Sequence, residues 1–339
     1  WQFFLPPSRY FNSLLSVMRL HARPDDMVVK VSEKIAGHAA PEVTRLAEQA
    51  GRQAWTHEQV IFELKQRDVA PVKVAALRPV PGCSTAVRGQ SIRRCVLEDQ
   101  EGKEANEALL FPTATIGGPE STALLLAAAC RAAVPNAVLA TTQDAMAILR
   151  PLGSECAAMV AAVKGAMPEA GVQQVARGLI AGIMELHNLG VVVRSVHLEN
   201  ILIDRNGAGA LLDLSNAVFV GDSELPDAPQ AAPAPYRPPE SFARGKGKQF
   251  PKAADMFGLG VVVLHLLTGR GPWTGPCSMS PLFRGQLSEK LGAFLDHYRQ
   301  NGCEISKGAE DFLTSVLARS PEERLTAAQA QAHQWLGAC

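Results

Sequence analysis

Apolar residues between positions 172 and 186 recur every three or four places: Val172, Val175, Leu179, Ile183 and Leu186. That spacing puts them on one face and predicts an amphipathic helix. Asn188-Leu-Gly190 ends it, with Gly190 as the C-terminal cap. Two short apolar runs follow, Asn200-Ile-Leu-Ile-Asp204 and Ala210-Leu-Leu-Asp-Leu214, separated by Arg205-Asn-Gly207. Asn-Gly between such runs predicts a hairpin. Farther on, Asp255-Met-Phe-Gly-Leu-Gly260 opens an apolar helix.

The first half is less regular. Ser13–Ala22 and Met27–Val31 are β-prone runs around Arg23-Pro-Asp-Asp26, which has turn composition and predicts a hairpin. Pro41–Gln66 reads as one long helix or two, with Leu46, Ala50, Ala54, Val60, Ile61 and Leu64 as imperfect apolar positions. Val74–Leu77 and Ala108–Phe111 read as strands flanking a polar excursion through Gly82, Gly89 and Gly102. Ala145–Leu149 reads as a further strand, and Pro151-Leu-Gly153 as a hinge between halves.

The 339 residues are 47% hydrophobic and 19% charged, enough to bury a core and incompatible with bulk disorder. Lys plus Arg and Asp plus Glu are balanced at 33 each, which argues against nucleic acid or anionic membrane as a partner held through net charge. Thr122–Ala140 is interrupted by Arg131, Pro135 and Asn136, and Val261–Leu267 is too short to span a bilayer, so no transmembrane segment is expected. No signal-peptide pattern opens the chain. None of the seven cysteines forms a CxxC pair. Buried or idle thiols are the plain reading, and Cys83–Cys95 and Cys277–Cys303 are the pairs to test for disulfides.

Chemistry concentrates in the second half, in a definite order. Val193-Arg194-Ser195-Val-His197-Leu-Glu-Asn200 comes first, then Asp213-Leu214-Ser215, Tyr236-Arg-Pro-Pro-Glu240, the helix start at Asp255 and a late Arg324. This set resembles the catalytic loop, metal-binding tripeptide, Pro-Glu anchor, helix-start Asp and terminal Arg of protein kinases. The resemblance implies an α+β, bilobal protein-kinase-like fold. Residues 1–150 would form a small, mostly β N-lobe with one helix, and 151–339 a larger, α-helical C-lobe. Val28-Val29-Lys30-Val31 is similar to the third-strand motif whose Lys grips nucleotide phosphates. Glu58 is the first choice for the helix glutamate paired with Lys30, with Glu48 and Glu63 as alternatives. Glu240 and Arg324 would tie the activation segment to the lower lobe, and Asp255 would bond catalytic-loop backbone.

The departures point to lost chemistry. Ser195 stands where kinases carry the loop Asp, and a neutral hydroxyl is a poor base at pH 7. His197 replaces the loop Lys, and Val193 replaces the leading His but can still pack in the core. Asn200 and Asp213 match the magnesium-binding pair, with turn bracing and loop-backbone bonding as their structural alternatives. Leu214 keeps an apolar role, and Ser215 replaces a Gly. Trp1–His21 holds no glycine, so the phosphate-covering loop is missing or the chain starts after it. Val28 places extra methyls against the adenine position. The proline-rich Gly221–Pro235 segment should be extended and carries few hydroxyls.

The set also resembles apicomplexan rhoptry-type kinases and pseudokinases, in the branch lacking a glycine loop. That implies a secreted protein of a parasite secretory organelle, parasitophorous vacuole or cyst wall. The expectation is therefore a pseudokinase that is not an enzyme. It would have a vestigial nucleotide pocket (Val28, Lys30, Glu58, Asn200, Asp213), no cofactor, no bound metal and an unknown protein partner. Arg67–Lys103 and Gly117–Asn136 would be its distinctive surfaces. A nucleotide sensor and an atypical active Ser/Thr kinase using Lys30, Asn200 and Asp213 are the alternatives.

Overall fold

The computed structural model describes residues 62, 72–73, 85–88, 92–98, 104–112, 126, 130, 132–134, 138–141, 145–151, 154–219, 231–242, 250–271 and 287–337. The chain divides into two compact units. One comprises Trp1–Arg131 with Asn136–Gly153, and the other Ala132–Pro135 with Ser154–Cys339.

The first unit is built on a six-stranded sheet. Its strands are β1 (Val72–Lys73), β2 (Thr85–Arg88), β3 (Ile92–Glu98), β4 (Glu104–Pro112), β5 (Val138–Thr141) and β6 (Ala145–Pro151), in the order β1-β5-β6-β4-β3-β2. β1 runs parallel to β5, and every other neighbouring pair is antiparallel. Ala108, Leu109, Leu110 and Phe111 of β4 are all buried, as expected of a strand covered on both faces. On β6, Met146 and Ile148 are buried two residues apart on one face. Leu126 is helical, Cys130 donates its N–H to the Leu126 carbonyl, and both side chains are fully buried.

The strands at Ala108–Phe111 and Ala145–Leu149 are where the pattern predicts them. The polar excursion is different, because it holds β2 and β3. Adjacent Arg93 and Arg94 break the alternation that would announce β3, and the strand is held by pairing with β4 on one side and β2 on the other. Residues 85–88 and 92–98 of the excursion are therefore sheet. Likewise β5 closes the Ala-rich stretch, where the pattern predicts no strand. The strand expected at Val74–Leu77 is described at Val72–Lys73, and residues 74–77 lie outside the described residues. So do the hairpin carrying Val28 and Lys30 and the helix carrying Glu48, Glu58 and Glu63, except for Phe62, which is helical and exposed. β4 is the third strand of the antiparallel run β2-β3-β4, and it contains no lysine.

The second unit is organised by two long helices. α1 (Ala157–Lys164) follows strand β7 (Glu155–Cys156). α2 (Glu169–Asn188) buries Val172, Val175, Leu179, Ile183 and Leu186, the face that the periodicity predicts. The chain leaves it through Gly190 at φ 73°, a left-handed position suited to glycine. β8 (Val191–Val192) pairs with β11 (Val218–Phe219). β9 (Ile201–Ile203) and β10 (Gly209–Leu211) form the predicted Asn-Gly hairpin, and β7 adds to β9. α3 (Pro251–Thr268) begins four residues before Asp255 and is buried over most of its length. α4 (Leu287–Gln300), α5 (Lys307–Val316) and α6 (Ala327–Gln331) complete the unit.

At 18 residues, α3 is long and apolar enough to cross a membrane by length and composition, which corrects the short span read from the sequence. Its place in the second unit is that of a core helix packed against α2 and α5. Of the pairs to test for disulfides, Cys277–Cys303 is not formed. Cys303, in the turn after α4 where its N–H donates to the Tyr298 carbonyl, is not in a disulfide, and neither are buried Cys130 and Cys156. Cys83 lies outside the described residues.

α2 and β10 meet backbone to backbone. A Cβ on Gly178 would lie 2.3 Å from the Gly209 carbonyl oxygen, so this contact requires glycine. Gly178→Ala is expected to lower stability by about 2 kcal/mol, the scale of an overpacked core. Urea unfolding would check it, and an unchanged midpoint would show that the two elements can separate at no cost.

Candidate functional site

The candidate site grows from the loop between β8 and β9. Val193 is fully buried, so the apolar residue at this position fills the core. The next residue, Arg194, has φ 61°, a left-handed conformation that a side chain disfavours. Asp255 of α3 holds it there. Its Oδ2 accepts from the Val193 N–H at 2.8 Å, and its Oδ1 accepts from the Arg194 N–H at 2.8 Å. His187 Nε2, at the end of α2, lies 2.9 Å from Oδ2. Gly258 lets α3 come this close, since a Cβ there would sit 2.8 Å from the Val196 carbonyl oxygen. Burial pushes the Arg194 guanidinium below its usual pKa, with Asp255 acting in the opposite direction.

Asn200 is the second node. Its Nδ2 lies 3.0 Å from both the Ser195 carbonyl and the Ser195 Oγ, and 2.9 Å from the Asp213 carbonyl. Its Oδ1 accepts from the Asp213 N–H at 2.8 Å. One amide thus joins the loop to the turn after β10. The Asp213 carboxylate accepts twice from Ser215: the N–H reaches Oδ1 at 2.9 Å and the hydroxyl reaches Oδ2 at 2.5 Å. Ser195, Asn200, Asp213 and Ser215 are all buried, as is Leu214 between them. The Ser195 hydroxyl donates to the Val193 carbonyl at 3.3 Å, which is the backbone-capping role. No basic side chain activates it in the described network.

His197 occupies the third position. Its Nδ1 lies 2.9 Å from Glu199 Oε2, and its ring centroid lies 5.8 Å from that of Tyr236. Partial desolvation opposes the Glu199 charge. The hydrogen bond with His197 and the nearby charges of His197 and His265 outweigh it, holding the carboxyl below its usual range. Burial lowers His265, with Glu199 opposing, and burial raises the Tyr236 phenol, with Glu199 adding to the effect. The sequence alone assigns Glu199 no role. Its spacing of two from His197 was the one signal available.

The pair Glu240 and Arg324 anchors the segment beyond. Arg324 Nη1 and Nη2 donate to Oε1 and Oε2 at 2.6 and 2.8 Å, a bidentate fork. Its Nε donates to the Ala318 carbonyl at 2.8 Å, and its guanidinium lies 4.9 Å from the Phe257 ring centroid. Tyr236 lies in a 3-10 turn, Ala234–Tyr236, so the end of the proline-rich segment is turned and not extended.

Asp213 and Asn200 are the residues that could hold a divalent cation. Each Asp213 oxygen accepts one donor and keeps acceptor capacity, and so does Asn200 Oδ1. A carboxylate beside an amide oxygen is a hard-oxygen set that fits Mg²⁺. The hydroxyl on Asp213 Oδ2 competes for that position.

This loop, clamped by a buried helix-start Asp and followed by an Asn–Asp node and a Glu–Arg fork, is matched by the protein kinase domain model over residues 139–336, more than half of the chain. The chain belongs to the protein kinase domain family. Its mixed helix and sheet and its two compact units accord with the bilobal kinase fold. It is 31% identical over 176 residues to the hormonally up-regulated neu tumor-associated kinase of Mus musculus, covering 51% of this chain and 23% of that protein. It is 27% identical over 173 residues to mitogen-activated protein kinase kinase kinase 18 of Arabidopsis thaliana, covering 51% of this chain and 48% of that protein. Similarity to the serine/threonine-protein kinase H1 homolog of Pinctada fucata is 28% over 176 residues, covering 51% of this chain and 40% of that protein. The matched stretch therefore spans under half the length of each of these relatives.

These relatives are named kinases, and they overturn the expectation that the chain is not an enzyme. The physical reason is that phosphoryl transfer relies mainly on positioning and electrostatics. Losing one proton acceptor therefore removes a factor and not the whole rate.

Breaking the fork tests the scaffold. Glu240→Ala strands the buried Arg324 charge and is expected to cost about 3 kcal/mol. Chemical denaturation would check this, and a loss under ~1 kcal/mol, typical of surface pairs, would show the pair to be peripheral.

Proposed function

We propose that the chain is a serine/threonine protein kinase in which His197 takes over the task of the missing loop carboxylate. The observation that carries this reading is the 2.9 Å contact between His197 Nδ1 and Glu199 Oε2, two residues past Ser195. A carboxylate on Nδ1–H fixes that tautomer and leaves the lone pair on Nε2. An imidazole so oriented is a better proton acceptor at neutral pH than the Ser195 hydroxyl. The substrate hydroxyl oxygen bonds to the γ-phosphorus as the bond to the leaving diphosphate oxygen breaks, and the hydroxyl proton passes to Nε2. A divalent cation at Asp213 and Asn200 would supply charge neutralisation on the transferring phosphate. The choice of a Ser or Thr hydroxyl leans on the name of the Pinctada relative.

The rhoptry-type resemblance extends the proposal to a secreted parasite kinase acting on a protein partner in a secretory organelle, vacuole or cyst wall. The glycine-free stretch Trp1–His21 is the feature that favours this branch, since the ordered motifs from Val193 to Arg324 are common to kinases. Immunolocalisation would test it, and purely cytosolic staining would count against it.

Phosphotransfer from labelled ATP, with magnesium and a generic protein acceptor, tests the chemistry. Slow transfer is expected for the purified chain. Asp213→Ala should abolish it, and His197→Ala should lower it by about 10² or more, the usual scale of a general base. Ser195→Ala should retain more activity than His197→Ala. Transfer no greater in the unaltered chain than in Asp213→Ala would sink the proposal.

A further inference from the structure

The Asp213 carboxylate is clamped from one side by a single residue. The Ser215 N–H lies on Oδ1 at 2.9 Å and the Ser215 hydroxyl on Oδ2 at 2.5 Å, and both residues are buried. Asn200 holds the backbone of Asp213, its Oδ1 accepting from the N–H and its Nδ2 donating to the carbonyl. A cation approaching Oδ2 meets a hydroxyl hydrogen already there. We propose that Ser215 sets the cation affinity of this kinase, its hydroxyl competing with a divalent cation for Asp213 Oδ2. The inference rests on the reading that Asp213 and Asn200 hold the cation.

The competition follows from the chemistry of the donor. A hydrogen bond to an ionised acceptor is about twice as strong as one between neutral groups. Burial strengthens it further, because no water competes for the same oxygen. A cation at Oδ2 shares that oxygen with the hydroxyl and is held less tightly for it, whereas a residue without a side-chain donor would leave the oxygen undivided. Nor does the backbone demand glycine here. Arg194 is the one non-glycine residue with positive φ among the described residues, so alanine fits at position 215 without strain.

The test is Mn²⁺ binding without nucleotide, followed by electron paramagnetic resonance on the full chain. Ser215→Ala is expected to bind about tenfold tighter than the unaltered protein, and Ser215→Thr, which keeps the hydroxyl, should match the unaltered protein. Asp213→Asn should lose binding. Equal affinities for the unaltered chain and Ser215→Ala, with binding lost in Asp213→Asn, would overturn the Ser215 inference and leave the cation site standing. Binding that survives Asp213→Asn, or no binding in any variant, would overturn both. Thermal unfolding of each variant without metal establishes that it is folded, so neither result depends on phosphotransfer.

Discussion

One buried carboxylate fixes the geometry on which the loop depends. Asp255 faces two consecutive backbone N–H groups, of Val193 and Arg194, and the His187 ring. Backbone donors buried without a partner are costly, so the arrangement is stable only while Asp255 remains in place. It also supports a left-handed Arg194, which on its own costs roughly 1–2 kcal/mol. The constraint ties the loop to two core helices at once, because His187 comes from α2 and Asp255 from α3. Every functional side chain downstream, from Ser195 to Asn200, takes its position from that clamp.

Asn200 carries the constraint onward. Its amide satisfies acceptors on the loop and on the turn after β10, and its oxygen takes the Asp213 N–H. A side-chain amide suits this place because it donates and accepts together and brings no charge into a buried site. The carboxylate of Asp213 is then the charged group at the node, and each of its two oxygens accepts a hydrogen bond from Ser215. Structural bracing and the proposed cation binding would draw on one acceptor set.

The second unit was largely legible in the sequence, and the reason is local. α2 is amphipathic with a complete apolar face, the β9–β10 hairpin has its Asn-Gly turn, and the loop residues are contiguous. The first unit was less legible, because its strands are specified by partners distant in sequence. β3 has two adjacent arginines and no clean alternation, yet it pairs along its length with β4. β5 sits at the end of an Ala-rich stretch whose composition favours no single element. Even in the second unit, sequence placed Ser215 only as a missing glycine. That its hydroxyl reaches Asp213 depends on a turn geometry that composition does not encode.

The clamp and the chemistry respond differently to substitution. Asp255, Asn200 and the Glu240–Arg324 fork satisfy buried polar groups, so a change in any of them leaves a partner unpaired. Ser195 is the reverse case. It is almost fully buried, and its hydroxyl donates to the Val193 carbonyl while accepting from Asn200. A carboxylate in that place would add a second buried anion near Asp213 and raise the need for a cation between them. The hydroxyl keeps the hydrogen bonds without that charge. The loop therefore retains its shape when its carboxylate is absent. On the proposed reading, proton transfer falls to His197, whose partner Glu199 is exposed.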